Sequence, residues 1–219
     1  MISRFLKPVS RNDKMRGYPG VKAAIFAAVV LAVFVGRTSA QEPTRFGLKL
    51  RFGGRFDNVR MCVASSPGTK GGIAADISAF TEMPIGDQAI VHVDLPLMRP
   101  ILFALAFKML QFEPSVTMKF SPGVSNDRQW QFGPILGVSM HYGPDYTSEQ
   151  SEPQRKESFF AAGPILGGYG GVRFLRPDKT FDFELGASPY VTALFSTDNV
   201  HGRNGVVIGG LIDGTFHIH

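Results

Sequence analysis

From residue 45 onwards, apolar and polar positions alternate along the chain with a period of two. In segment 45–52, Phe and Leu occupy the even positions, while Arg, Lys and Gly occupy the odd positions. Successive side chains of a β-strand point to opposite faces, so this period predicts strands with one apolar face and one polar or small face. Eight segments carry the pattern, four of them clearly and four in a fainter form. They are 45–52, 72–82, 88–96, 112–120, 130–142, 158–174, 181–195 and 205–218.

The connections between these strands alternate in length. Those after the second, fourth and sixth strands are short and contain the turn-forming residues Pro, Gly, Asp or Asn, whereas the others are mostly longer. An even strand number with alternating short and long connections predicts an all-β fold, namely an eight-stranded antiparallel up-and-down transmembrane β-barrel. Composition and spacing by themselves also allow a soluble barrel or sandwich.

Two features complicate the strand assignment. The segment 100–111 fits either a short helix or a strand extension, and we assign it to a loop insert. Pro114, Pro134, Pro164 and Pro189 fall within predicted strands. Because proline has no N–H to donate to a ladder, we expect these four residues at bulges or strand ends.

The N-terminal part of the chain has a different composition. An apolar run, 23–36, follows basic residues and precedes small ones. This order predicts a cleavable secretory signal peptide, residues 1–40, cut after Ala40. The usual length of such leaders favours Met15 as the true start of translation. The barrel domain then occupies residues 41–219.

Charge and cysteine content exclude several classes of protein. The formal net charge is +5, but seven of the 23 basic residues and only one of the 18 acidic residues precede residue 41. The remaining chain is close to neutral, which argues against a nucleic-acid partner. Its single cysteine, Cys62, excludes an internal disulfide framework, and the five scattered histidines do not form a zinc-binding pattern. We expect no cofactor and no metal site.

The signal peptide, the amphipathic strands and the alternating connections together resemble the small eight-stranded outer-membrane barrels of Gram-negative bacteria. That group includes the transmembrane domain of outer-membrane protein A, and the resemblance covers nearly all of 44–219. It implies localisation in the outer membrane, contact with outer-membrane lipid and lipopolysaccharide, and dependence on periplasmic chaperones and the barrel-assembly machinery during biogenesis. It also implies a monomer with a structural or surface-interaction role through external loops such as 53–71 and 143–157.

The polar faces of the predicted strands carry charges of both signs. An eight-stranded barrel leaves room for side chains or one small ligand, not for a wide aqueous channel. We therefore expect the charges to form a structural network of ion pairs in the lumen instead of a conduction path. The expected members of this network are Arg45, Lys49, Arg51, Glu113, Lys119, Arg173, Asp182, Glu184 and Asp213.

Some barrels of this group are enzymes that modify lipid A, and the deacylase type resembles a serine hydrolase. Ser139 and His141 share a strand face here, and Asp145 and Glu149 follow soon after. A nucleophile needs a neighbouring base and an orienting acid, so these residues are the candidate chemistry. The deacylase order is His-x-Ser, the reverse of the order here, and we expect no catalytic residue. Three alternatives stay open: a small porin-like pore or transporter, a lipid A-modifying enzyme, and a soluble periplasmic lipid-binding barrel.

Overall fold

A computed structural model describes residues 44–58, 69–86, 88–105, 109–125, 127–144, 158–176, 180–196 and 204–218. The predicted signal peptide and the proposed start at Met15 lie outside these residues. No helix within the described ranges is long and apolar enough to cross a membrane. The elements are β1 (Arg45–Asp57), β2 (Gly71–Ile85), β3 (Ala89–Pro96), α1 (Met98–Leu105), β4 (Leu110–Phe112), β5 (Ser115–Phe120), β6 (Val124–Ser125), β7 (Arg128–Pro144), β8 (Ser158–Phe174), β9 (Phe181–Ser196) and β10 (Gly205–Ile218).

All the strands belong to one antiparallel sheet that closes on itself. The order is β1-β2-β3-β5-β7-β8-β9-β10, and β10 pairs back with β1 from Phe46↔Ile218 to Asp57↔Val207. β4, β5 and β6 follow one another along β7 and together occupy one position in the barrel. The structure thus confirms the predicted all-β class and the closed eight-stranded antiparallel barrel.

The two ends of the barrel differ in their connections. At one end, called the turn end here, β2 leads into β3 and β8 leads into β9 through short segments. At the opposite loop end, β1, β7 and β9 finish and β2, β8 and β10 begin. Strand β1 continues to Asp57, beyond the predicted end at residue 52. The segment 100–111, predicted as a loop insert, instead contains most of α1 and the first two residues of the short strand β4.

Side chains alternate strictly between the lumen and the outer face. On β1, Lys49 and Arg51 are buried in the lumen, whereas Leu50 and Phe52 are exposed on the outer face. The other strands follow the same rule, and the outer wall carries large apolar side chains. The lumen holds buried charged and polar side chains together with an apolar cluster that includes Ile165, Leu194 and Val207. This polarity is the reverse of that in a soluble barrel, where the apolar face is the buried one.

The prolines disturb single ladders without shifting the strand register. Pro114 lies in the break between β4 and β5, at a strand end as expected. Pro134, Pro164 and Pro189 lie inside β7, β8 and β9, where we expected bulges or strand ends. The β8–β9 ladder is interrupted at Pro164 and at Pro189, and the β5–β7 ladder is interrupted at Pro134. The pairing on the other side of each proline is continuous, so losing one donor interrupts only one ladder.

Glycines make room for large aromatic side chains inside the narrow lumen. The ring of Tyr169 lies across Gly171 and Gly186, and a Cβ atom at Gly186 would come within 2.6 Å of two Tyr169 ring carbons. Gly170 faces outward, and a Cβ atom there would meet nothing within 4 Å. Packing around the Tyr169 ring therefore requires glycine at the inward-facing positions Gly171 and Gly186, but not at the outward-facing Gly170.

We predict that Gly186→Ala destabilises the folded barrel by about 1–3 kcal/mol, because the methyl group forces the Tyr169 ring out of its position. The matched variant Gly170→Ala should change the free energy of unfolding by less than about 1 kcal/mol. Urea unfolding in detergent micelles measures both values. Equal effects of the two variants would contradict the proposed packing.

Candidate functional site

The most distinctive feature of the molecule is the set of polar and ionisable side chains buried in its lumen. They form three groups along the barrel axis. The turn-end network comprises Glu82, His92, Lys119, Tyr169, Arg173, Glu184 and His217. The central network comprises Lys49, Arg51, Asp94, Ser188 and Asp213. The loop-end network comprises Arg55, Asp57, Asp76, Arg99, Gln111, Glu113, Ser139 and His141.

In the turn-end network, two carboxylates alternate with two cations across the lumen. Lys119 Nζ lies 2.6 Å from Glu184 Oε1 and 3.0 Å from Glu82 Oε1. Arg173 Nη2 lies 2.6 Å from Glu82 Oε2 and 3.0 Å from Glu184 Oε2. His217 contacts the same two carboxylates, and Tyr169 donates its hydroxyl hydrogen to Glu184. These contacts tie β2, β5, β8, β9 and β10 together through side chains that are nearly inaccessible to solvent.

In the central network, Asp94 and Asp213 hold two cations of β1. Lys49 Nζ lies 2.5 Å from Asp94 Oδ2. Arg51 lies between the two carboxylates, with Nε 3.4 Å from Asp213 Oδ1 and Nη2 3.7 Å from Asp94 Oδ2. His92 connects this group to the turn-end network, because its Nε2 atom lies 3.3 Å from Asp94 Oδ2 and its Nδ1 atom lies 2.8 Å from Glu82 Oε1.

In the loop-end network, Glu113 is the shared acceptor. Arg55 Nη1 approaches Glu113 Oε1 at 3.2 Å, while Arg99 Nη1 approaches Oε2 at 2.8 Å. Arg55 also pairs with Asp57 at 2.7 Å, and Arg99 also pairs with Asp76 at 2.8 Å. Three carboxylates thus share two guanidinium groups here. The other two networks together contain four carboxylates and four Lys or Arg side chains.

The structure brings most of the sequence-predicted lumen residues into these networks. Seven of them join the three networks through ion pairs: Lys49, Arg51, Glu113, Lys119, Arg173, Glu184 and Asp213. Asp182 is also buried and accepts a hydrogen bond of 2.9 Å from the backbone N–H of Arg176. Arg45 lies half-buried at the turn end, where β1 begins.

Sequence reasoning missed several partners, each for a definite reason. Arg55 and Asp57 lie beyond the predicted end of the first strand, although they continue its odd-numbered polar face. Asp76 and Glu82 lie on β2, whose alternation is faint because Ala and Gly occupy many of its positions. Arg99 lies on α1, in the segment assigned to a loop, and no periodic signal marks it as a lumen residue.

Ser139 and His141 do come together, and both point into the lumen. Ser139 Oγ lies 2.9 Å from His141 Nε2 and donates to Glu113 Oε1 at 3.0 Å. His141 Nδ1 is 3.9 Å from Asp57 Oδ2 and makes no hydrogen bond to it. A serine triad needs the acid to orient the imidazole through Nδ1–H, so this arrangement is a hydrogen-bonded cluster without that link. The sequence candidates Asp145 and Glu149 lie outside the described residues.

One group in the described part of the chain has the composition of a metal site. Ligand atoms of Glu82, Glu184 and His217 lie within 4.8 Å of one another. However, the Arg173 guanidinium contacts both carboxylates at 3.0 Å or less. A metal ion there would have to displace this cation, so the group is better described as an ion-pair cluster.

Comparison with known proteins gives no functional information for this site. No protein-family model matches the chain, and no curated protein sequence matches it either. The case for function therefore depends on the geometry of the barrel itself.

The central network makes a prediction about Lys49 and Asp94. Asp94→Leu should destabilise the barrel by about 3–5 kcal/mol, because it leaves the Lys49 ammonium buried without a carboxylate at 2.5 Å. The double variant Lys49→Met, Asp94→Leu should recover part of that loss, since the unpaired ammonium is gone. Urea unfolding of both variants in micelles, with Lys49→Met alone completing the cycle, measures the coupling. Strictly additive effects would contradict a direct ion pair.

Proposed function

We propose that this chain is an outer-membrane β-barrel protein of a Gram-negative envelope, with a structural or surface-interaction role and no catalytic activity. The observation that carries the proposal is the inverted polarity of the barrel. Charged side chains are buried in the lumen, and large apolar side chains cover the wall. This distribution favours an apolar solvent around the barrel.

The outer face is apolar over most of the barrel. Along β1, Phe46 and Phe52 are each 61% exposed, and Leu48, Leu50 and Phe56 are exposed between and beyond them. Soluble monomers rarely expose contiguous apolar patches larger than a few hundred Å². In a bilayer the same face is favourable, and the closed ladder leaves few backbone groups without a partner in hydrocarbon.

Aromatic residues on β7 fit the thickness of a membrane. Trp130 is 59% exposed near the turn end, and Tyr142 is 40% exposed near the loop end. At about 3.3 Å per residue and a strand tilt of about 40°, the two rings lie about 30 Å apart along the barrel axis. Trp and Tyr accumulate at both membrane–water boundaries, so this spacing matches two aromatic girdles.

The filled lumen disfavours two of the alternatives. The cavity bordered by Arg51, Glu113, Ser188 and Tyr190 has a volume of about 20 Å³, which is enough for about one water molecule. A soluble carrier would need an apolar interior large enough for a lipid chain, and a conducting pore would need a continuous aqueous path. At the level of this cavity the lumen is instead occupied by ion-paired side chains such as Arg51 and Glu113.

We assign interaction with partners to the external loops because the outer wall and the lumen of the barrel are not accessible to water-soluble partners. The wall faces lipid and the lumen is occupied, so water-soluble partners and lipopolysaccharide head groups meet the protein at its loop end. In the sequence, the connection that follows β7 is the most polar one, at 147–157. We assign the surface-interaction role to this end of the protein.

Cell fractionation of the expressed protein tests the proposal. We expect recovery in the outer membrane, with a band whose gel mobility changes on boiling in detergent. Leu50→Arg places a charge in the apolar band at a cost of about 2–4 kcal/mol and should reduce the folded, heat-modifiable fraction. Thr180→Arg adds the same charge outside the strands and should leave it unchanged.

Recovery of the folded protein in the soluble periplasm would overturn the proposal. If the folded protein is recovered in the outer membrane and conducts ions in planar bilayers, the proposed location stands. Its role is then that of a pore and not a structural one. Equal folding of Leu50→Arg and Thr180→Arg would contradict contact between this face and lipid.

A further inference from the structure

Two arginines lie on the outer side of the barrel at its turn end. Arg128 begins β7, Arg176 follows the end of β8, and both are exposed. Arg128 pairs with Phe174 in the β7–β8 ladder, and the backbone N–H of Leu175 donates to the Asp127 carbonyl at 2.9 Å. Arg176 is thus a diagonal neighbour of Arg128 across the end of this ladder, and long side chains at such positions reach one another.

Both guanidinium groups lie over aromatic rings. Arg128 Cζ is 5.8 Å from the centroid of the Phe174 ring, and Arg176 Cζ is 5.4 Å from that of Phe181. Phe183 extends this aromatic surface, because its ring stacks with Phe174 at a centroid distance of 6.3 Å. A cation–π contact uses the face of a guanidinium group and leaves its N–H donors available to an anion.

The acidic residues near these arginines do not neutralise them. Asp127 is the sequence neighbour of Arg128, and the buried Asp182 accepts a hydrogen bond of 2.9 Å from the backbone N–H of Arg176. Neither carboxylate forms an ion pair with the guanidinium group of Arg128 or of Arg176. Among the described residues, this part of the turn end therefore has an excess of positive charge.

An apolar groove lies next to the arginines on the outer wall. Its volume is about 480 Å³, which is within the range of small-molecule binding sites. Trp130 and Phe132 of β7 form one side, and Ile212 of β10 forms the other. The floor between them is low because Gly170 and Ala187 have no side chain beyond Cβ, and a Cβ atom at Gly170 would meet nothing within 4 Å.

The arginines and the groove follow one another along the barrel axis as the head group and the acyl chain do in a lipid. Trp130 lies near the turn end, at the position expected for a ring at the membrane–water boundary. Arg128 is two residues further out, which corresponds to about 5 Å along the axis. Its guanidinium group is therefore at the level of the lipid phosphates, whereas Phe132 and the groove are at the level of the hydrocarbon.

We propose that this part of the wall binds one anionic glycerophospholipid. Arg128 and Arg176 bind the phosphate of its head group, and one acyl chain lies in the groove beside Trp130. Guanidinium groups recognise phosphate through paired N–H donors, and the excess of positive charge favours a net negative head group over a zwitterionic one. This inference rests on the lipid-embedded barrel proposed above and adds a ligand to it.

The position of the site also selects between two sources of lipid phosphate. The short connections of outer-membrane barrels face the periplasm, and the site lies at the end of this barrel that has short connections. The ligand is therefore a phospholipid of the periplasmic leaflet and not lipopolysaccharide.

Trp130 is the only tryptophan of the chain and lines the groove, so its fluorescence reports on the lipid that occupies the site. The folded protein is placed in vesicles of phosphatidylcholine with a minor fraction of phosphatidylglycerol. One lipid or the other carries brominated acyl chains, which quench tryptophan at short range. We expect phosphatidylglycerol to occupy the site at least about fivefold more often than its share of the bilayer predicts. High salt should lower this preference, because the contact is ionic.

Two pairs of variants separate the head-group contact from the groove. Arg128→Gln should lower the preference for phosphatidylglycerol at least about twofold, whereas Lys70→Gln removes an exposed charge at the loop end and should leave it unchanged. Gly170→Leu fills the floor of the groove and should also lower the preference. Gly210→Leu makes the same change at an outward glycine that does not line the groove, and should have no effect.

Equal quenching by the two brominated lipids at equal mole fraction would overturn the proposal. A preference that survives the combined variant Arg128→Gln, Arg176→Gln would also overturn it, as would displacement of brominated phosphatidylglycerol by lipopolysaccharide. The boiling-dependent gel shift checks that each variant is folded. Folded protein in vesicles that neither brominated lipid quenches would count against the lipid-embedded barrel itself, whereas quenching without preference would count against the lipid site alone.

Discussion

Charged side chains inside a barrel only eight strands wide must neutralise one another, because neither bulk water nor lipid surrounds them there. Lys119 and Arg173 each contact both Glu82 and Glu184, which joins strands that are far apart in the sequence. A slip of one residue in any of these strands would move its charges to the outer wall and its apolar residues to the lumen. Ion pairing inside and the apolar outer wall therefore specify the same register.

Besides the pairing of charges in the lumen, the barrel must satisfy the backbone hydrogen bonds all the way around its wall. This second condition explains the irregular parts of the barrel. Prolines inside β7, β8 and β9 interrupt single ladders, and at each of them the pairing on the other side is continuous. The β2–β3 ladder ends at Ser78 and Pro96, so the loop-end part of β2 has no strand partner on that side among the described residues. Helix α1 covers this gap, with apolar residues outward and Arg99 inward. The same residue thus completes both the wall and the loop-end network.

Much of this architecture could be predicted from the sequence, because strand alternation reports directly on two faces of opposite polarity. The two-residue period predicts that Lys49, Lys119 and Glu184 lie on the polar faces of their strands. It does not show which of these charges form ion pairs, because the register between strands is not encoded in any single segment. Asp76 was missed because Ala and Gly weaken the alternation of β2. Arg99 was missed because the short helix α1, which replaces part of the wall, does not follow the two-residue alternation that marks the lumen positions of the strands.

The central claim is that the even-numbered side of β1 faces hydrocarbon and the odd-numbered side faces the filled lumen. Spin labels placed singly on cysteines from residue 48 to residue 52, in a Cys62→Ser background in lipid vesicles, test it most directly. We predict high oxygen accessibility and low accessibility to a water-soluble nickel reagent at Leu48, Leu50 and Phe52, with both low at Lys49 and Arg51. High nickel accessibility at the even positions, or no alternation at all, would contradict the account.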